Sequence, residues 1–242
     1  MAESSVVEVD AAGPQTKTRP HRFFVQTIAT FIWFVGSLFL GAGRLDWVRG
    51  WISAGLSVVG MTIVGLIIRR CNTGLLEERA KWRRKDTKRF DKIFLAIYVP
   101  LLLIQPAVAG LDNGRYHWSS MPLAFVYVGA LIFVLALTLI TWVLVVNPFA
   151  ETSVRIQKDR GQHVITNGPY QIVRHPMYVG AILYLLANPL IWGSVAALII
   201  TLGIIPLMIW RTAREDRTLH QELAGYPEYA ARTRYRLVPG LW

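Results

Sequence analysis

Long apolar runs separated by short polar segments set the character of this chain. Four of them, at 23–42, 48–68, 93–110 and 122–146, come close to the ~20 helical residues that cross ~30 Å of hydrocarbon. A fifth, at 177–210, has 34 residues, which as one straight helix would extend about 51 Å, too far for a single crossing. "ANPLIWGS" at 187–194 places a proline and a glycine inside that run, and both interrupt regular helix. The pattern predicts two shorter helices folded as a hairpin with both ends on one side; a single kinked span is the alternative. The expected fold is therefore all-α and polytopic, with four spans plus a C-terminal helical hairpin.

Charge adds a direction to this pattern. Of the 26 Lys and Arg residues, 23 fall in the tail and in segments 69–92, 147–176 and 211–242. With six crossings these segments share one side, and only Arg44, Arg49 and Arg115 face the other. Basic excess marks the cytoplasmic face, so both termini are expected in the cytoplasm. Five crossings would carry the basic C-terminal segment outside. The net charge of +11 then needs no nucleic acid; attraction of the 69–89 loop to anionic membrane lipids accounts for it. Whether the membrane is a bacterial plasma membrane or the endoplasmic reticulum is left open by these patterns.

Residues 1–22 are small, polar and punctuated by Pro and Gly, the composition of a disordered cytoplasmic tail. The run that follows is as long as a full span and lacks a small-residue cleavage site, so it reads as a permanent helix. Residues 23–146 form the four-span scaffold, with Gly55, Ser57, Gly60 and Gly65 of the second run suited to close helix packing. Cys71 is the sole cysteine, which rules out an intramolecular disulfide or a thiolate cluster. The five histidines show no metal-ligand spacing, and no metal is expected.

The polar residues that call for explanation lie in 147–242. "GPYQIVRHPMYVG" at 168–180 puts Pro176 at the first position of a helix and His175 at its N-cap. Free N–H groups and the positive helix end then adjoin Arg174 and His175, an arrangement that attracts an anion. On this stretch alone, an arginine snorkelling to lipid phosphates explains the same residues. Arg211 and Glu215 follow at helical spacing near the second exit of the hairpin. If the hairpin returns to its starting side, they emerge beside His175 and Tyr178. Ionisable groups at that depth are costly unless paired or functional, although an ordinary i,i+4 ion pair is also compatible.

Taken together, "GPY-x3-RHPMYVG", the apolar hairpin, "R-x3-E" and "ELAGYPEYAARTRYRLVPG" resemble the isoprenylcysteine carboxyl methyltransferase family and the related membrane phospholipid methyltransferases. The resemblance covers roughly residues 150–240. It implies S-adenosylmethionine as cofactor and a lipidic or prenylated acceptor. By the same resemblance Tyr170, His175, Pro176, Met177 and Tyr178 line the cofactor pocket, Gln162, His163, Val164 and Ile165 bracket the adenosine, and Glu215 binds the cofactor. Arg211 would orient the acceptor substrate. A cofactor-contacting glutamine of eukaryotic members falls on Arg155, with Gln157 nearby.

Those residue types suit that cofactor. Arg174, His175 and the helix N-terminus match its carboxylate, Glu215 its diol or ammonium, and tyrosine rings its purine or sulfonium. A carboxylate acceptor needs no catalytic base, and none is apparent, so carboxyl O-methylation is favoured over thiol or amine chemistry. Membrane sterol-type reductases, which use NADPH, share R-H-P-type motifs but commonly carry an acidic residue where Ala181 stands. An inactive membrane scaffold is the third reading, which the complete residue set disfavours.

Overall fold

The structure is a computed structural model that describes residues 21–80 and 86–242. The described residues are helical, without strands: α1 (His21–Ala42), α2 (Val48–Cys71), α3 (Thr73–Ala80), α4 (Arg89–Ala109), α5 (Ala124–Val146), α6 (Pro176–Trp192), α7 (Val195–Glu222) and α8 (Tyr226–Arg232). The end of α4 widens into a π-helical turn, Gly110–Tyr116, and 3-10 turns fall at Lys158–Arg160 and Gly168–Gln171. Five helices are long and apolar enough to cross a membrane. The shorter apolar α6, with 17 residues, reaches about 25 Å. The polar tail expected at 1–22 lies outside the described residues except for its last two, which already belong to α1.

Alternating helix directions sort the connections into two ends, and polar contacts hold each end together. At one end Lys88 pairs with Glu222 at 2.6 Å, Arg79 donates to the Ala150 carbonyl at 2.7 Å, and Arg211 reaches the Thr152 carbonyl at 2.8 Å. At the other, buried Asp112 accepts from the Ser119 hydroxyl and the Ser194 hydroxyl, each at 2.6 Å, and from the Ala196 N–H at 3.1 Å. That carboxylate sits at the start of α7, where the positive end of the helix favours an anion. It ties the turn after α4 to the tip of the hairpin.

The hairpin has the expected form, and of its two expected interruptions the glycine makes the turn. Pro189 lies inside α6, and the chain reverses at Gly193, whose φ of 71° is left-handed. Proline cannot donate to the carbonyl four residues back, here that of Leu185. The Thr201 hydroxyl of α7 lies 3.3 Å from that oxygen and 3.1 Å from the Ala197 carbonyl of its own helix, so its one proton is shared between the two. Thr201 in turn accepts from Gln105 of α4 at 2.5 Å. A polar group buried in hydrocarbon is tolerated when matched in this way.

Small residues set the closest helix approaches, at positions the sequence pattern only partly marks. On α2, a Cβ at Gly60 would lie 2.3 Å from Leu137, whereas Gly55 and Gly65 face open space; their expected role in packing does not hold, because among the described residues nothing lies against those two positions of α2. The tight α5–α6 seam uses Gly129 and Gly180 instead, where a Cβ would come within 2.8 Å of the Ala187 carbonyl oxygen and 2.7 Å of Ile140. Gly129→Ala should therefore destabilise the fold by about 1–3 kcal/mol through overpacking, while Gly55→Ala leaves it unchanged or slightly stabler. Thermal unfolding of the two purified variants checks this; equal melting temperatures would count against the seam.

Candidate active site

Where the hairpin ends meet, a cavity of about 330 Å³ opens among α3, α4, the 147–165 segment, α6, α7 and α8. That volume falls in the range of ~300–1,000 Å³ typical of small-molecule and cofactor sites. Its wall begins with a charge cluster centred on Asp216, which is 1% exposed. Arg174 donates to both of its oxygens, at 2.8 and 3.2 Å. Tyr226 and Arg236 each donate at 2.8 Å, and the His175 Nε2 lies 3.1 Å away. Arg174 also donates to the carbonyls of Thr233 and Arg234, at 3.0 and 2.7 Å. Its fork is fully engaged inside the protein, so it lines the cavity without being open to a second carboxylate. His175 occupies the N-cap position of α6, as its place before Pro176 suggests, but its side chain makes no capping bond and turns to Asp216.

One turn away, the Tyr178 hydroxyl donates to Glu215. Arg211 donates from Nε to buried Asp91 at 2.7 Å and packs its guanidinium 4.5 Å from the centre of the Phe94 ring and 5.4 Å from that of Tyr178. Asp91 accepts from the Val154 N–H with its other oxygen, at 2.8 Å. Arg211 and Glu215 thus share a face of α7 but pair with other elements. Arg211 Nη1 makes no hydrogen bond among the described residues.

The 147–165 segment closes the cavity from the side. Gln162 accepts from the Gln157 N–H at 2.7 Å, and the His163 ring meets Phe149 edge-on at 5.1 Å. Val164 packs against the buried cluster of Leu223, Tyr226 and Tyr229. His163, Val164 and Ile165 line the cavity, and their peptide groups enter no backbone hydrogen bond among the described residues. Tyr170 accepts from Asn147 at 2.6 Å, and its carbonyl accepts from the Tyr229 hydroxyl at 2.7 Å. Burial raises the Tyr170 and Tyr226 phenols and holds Tyr229 at about 12, so all three remain neutral donors at physiological pH.

Of the residues singled out in the sequence, Gln162, His163, Val164, Ile165, Tyr170, Arg174, His175, Met177, Tyr178, Arg211 and Glu215 line the cavity, and Pro176 does not. Arg155, on which the resemblance places a glutamine, is buried in a salt-bridge cluster with Glu151, Asp86 and Asp159; the hydrogen bond to Glu151 is the foremost cause that holds its pKa above the usual arginine value. Gln157 is committed to the Phe149 carbonyl and to Arg160. Sequence reasoning missed Asp216, Asp91 and Arg79. A second acid directly after Glu215 was the one visible signal; Asp91 and Arg79 lie far away in sequence and carry no motif.

These features define an all-helical membrane protein with a polar cavity at the ends of a helical hairpin. Residues 124–224, from the start of α5 to just past α7, match the family model described as phospholipid methyltransferase, a family of membrane methyltransferases of the isoprenylcysteine carboxyl methyltransferase type. The match supports a membrane methyltransferase and implies a methyl donor of the S-adenosylmethionine type. No curated protein matches the chain.

Removing the charge at the centre of the cluster tests its weight. Asp216→Asn leaves buried Arg174 and half-buried Arg236 against a neutral partner and should cost about 3–5 kcal/mol, read as a lowered melting temperature. A loss below 1 kcal/mol would mean that the cluster does not hold the hairpin ends together.

Proposed function

We propose that the chain transfers a methyl group from S-adenosylmethionine to a lipidic acceptor, with a carboxylate such as a prenylcysteine C-terminus or an isoprenoid acid favoured. The observation that carries this reading is the meeting on one cavity of Glu215, Arg211 and the unpaired peptide groups of His163–Ile165. The donor set suits the cofactor. Glu215 keeps one oxygen for its ammonium or ribose diol, the 163–165 peptides present edges to the purine, and Tyr170 and Tyr178 offer aromatic surface. Arg174 and His175 act through Asp216, holding Tyr178 and Glu215 in place. When bound, the cofactor supplies a methyl group activated by the adjoining sulfonium.

Arg211 is placed for the acceptor. Asp91, the Thr152 carbonyl and the two flanking rings fix its guanidinium, and Nη1 is left to orient an acceptor carboxylate. Such an oxygen is already nucleophilic, and orienting it is the main work the protein has to do. The apolar part of the cavity wall, with Leu95, Tyr98, Ala181 and Met208, suits a lipid tail entering between helices. In this reading the cavity faces the cytoplasm and both termini lie there, because segments 69–92, 147–176 and 211–242, which meet at its end of the bundle, carry 20 of the 26 basic residues. Residues 23–146 serve as scaffold and 147–242 as the cofactor-binding region.

Two measurements test the assignment. Glu215→Gln should weaken binding of S-adenosylhomocysteine at least ~10-fold with little change in melting temperature, whereas Arg211→Lys should preserve that binding and lower methyl transfer; unchanged affinity in Glu215→Gln would refute the cofactor role. Membranes incubated with methyl-labelled cofactor should yield a lipid-soluble product that releases its label in mild base, as an ester does. A base-stable product would point to a nitrogen or sulfur acceptor, and a melting-temperature rise with NADPH instead of S-adenosylhomocysteine would overturn the methyltransferase reading.

A further inference from the structure

A second cavity, of about 150 Å³, lies deeper in the apolar part of the bundle, walled by α1, α2, α4 and α6. Phe34, Met61, Leu102 and Trp192 make most of its surface apolar. Two buried polar groups in it stand unmatched. Asn188, 3% exposed, donates from Nδ2 to the Tyr184 carbonyl at 2.8 Å, and its Oδ1 has no hydrogen-bond partner. Flipping the amide would set its oxygen against that carbonyl, so the orientation is fixed. The Ser57 hydroxyl on the same wall is likewise buried with no partner within hydrogen-bond geometry, and the Tyr184 phenol lies beside both it and the Asn188 side chain.

Other polar groups at this depth are paired. Gln105 donates to the Ala197 carbonyl at 3.1 Å and to Thr201, and the Trp192 indole donates to Ser53 at 2.9 Å. An unmatched buried acceptor costs ~1–3 kcal/mol, and among the buried side-chain atoms of the described residues Asn188 Oδ1 and the Ser57 hydroxyl leave theirs open on this wall. The rim faces the bilayer: Trp33 and Leu103 are 55% and 38% exposed, and the Trp33 indole donates to the Leu103 carbonyl at 3.3 Å, bridging α1 and α4.

An apolar cavity of this volume holds a ring the size of benzene. We propose that it binds a ring-sized apolar group bearing a single hydroxyl, the head of a phenolic or cyclic-alcohol lipid reaching it from the bilayer, with the hydroxyl donated to Asn188 Oδ1. The site is separate from the first cavity and stands or falls without the methyl-transfer reading.

Photolabelling of the full chain in lipid nanodiscs with a para-diazirine phenol, with adducts mapped by mass spectrometry, tests it. Adducts are expected on Phe34, Met61 or Leu102, competed by para-cresol about tenfold better than by its methyl ether, the discrimination one hydrogen bond supplies. Asn188→Leu should erase that preference, and Leu102→Trp, which fills the space, should abolish labelling while thermal stabilisation by S-adenosylhomocysteine persists. Equal competition by phenol and ether, adducts confined to outward-facing residues, or a cavity that takes only water would overturn the proposal. The phenol–ether comparison on the unaltered protein is decisive even if a variant fails to fold.

Discussion

A carboxylate buried at the membrane boundary is tolerable only if every lone pair is met, and Asp216 meets that condition with four groups from three places in the chain. Arg174 and His175 precede α6, Tyr226 opens α8, and Arg236 comes from the C-terminal segment. None of these groups could be buried at this boundary alone without a large desolvation cost. Their mutual neutralisation fixes the distance between the two ends of the hairpin. Tyr178 and Glu215, each within a turn of the cluster, inherit their alignment from it. The far end has a counterpart in Asp112, which uses serine hydroxyls and a helix N-terminus in place of arginines.

The spans were readable in the sequence because a bilayer imposes a length, and the observed helices keep to within a few residues of the apolar runs. The hairpin was readable for the same reason: no single helix of that length fits. Which of its two interruptions makes the turn was not, since Pro189 stays inside α6 and Gly193 takes the reversal. The glycines of α2 show the same limit, because whether a small residue admits a neighbour depends on which helix lies opposite.

The site divides along similar lines. Tyr178, Arg211 and Glu215 could be singled out because they stand in short motifs or at helical spacing next to apolar runs. The pairing of Arg211 with Asp91, 120 positions away in sequence, leaves no local trace. Nor does the engagement of Arg174, which by its position beside a helix N-terminus looks like an open anion receptor. Short-range pattern identified the residues; long-range packing decided what each is free to do.

The reach of α4 into the site has a bearing on how such a protein can diversify. The family match begins at residue 124, yet the guanidinium assigned to the acceptor is clamped by a carboxylate that precedes the matched region. A graft of the matched portion onto foreign spans would leave that arginine without its anchor. Conversely, changes confined to α4 can swing or release it without touching Glu215 or the 163–165 segment, so that in the proposed reading acceptor choice can vary apart from cofactor binding.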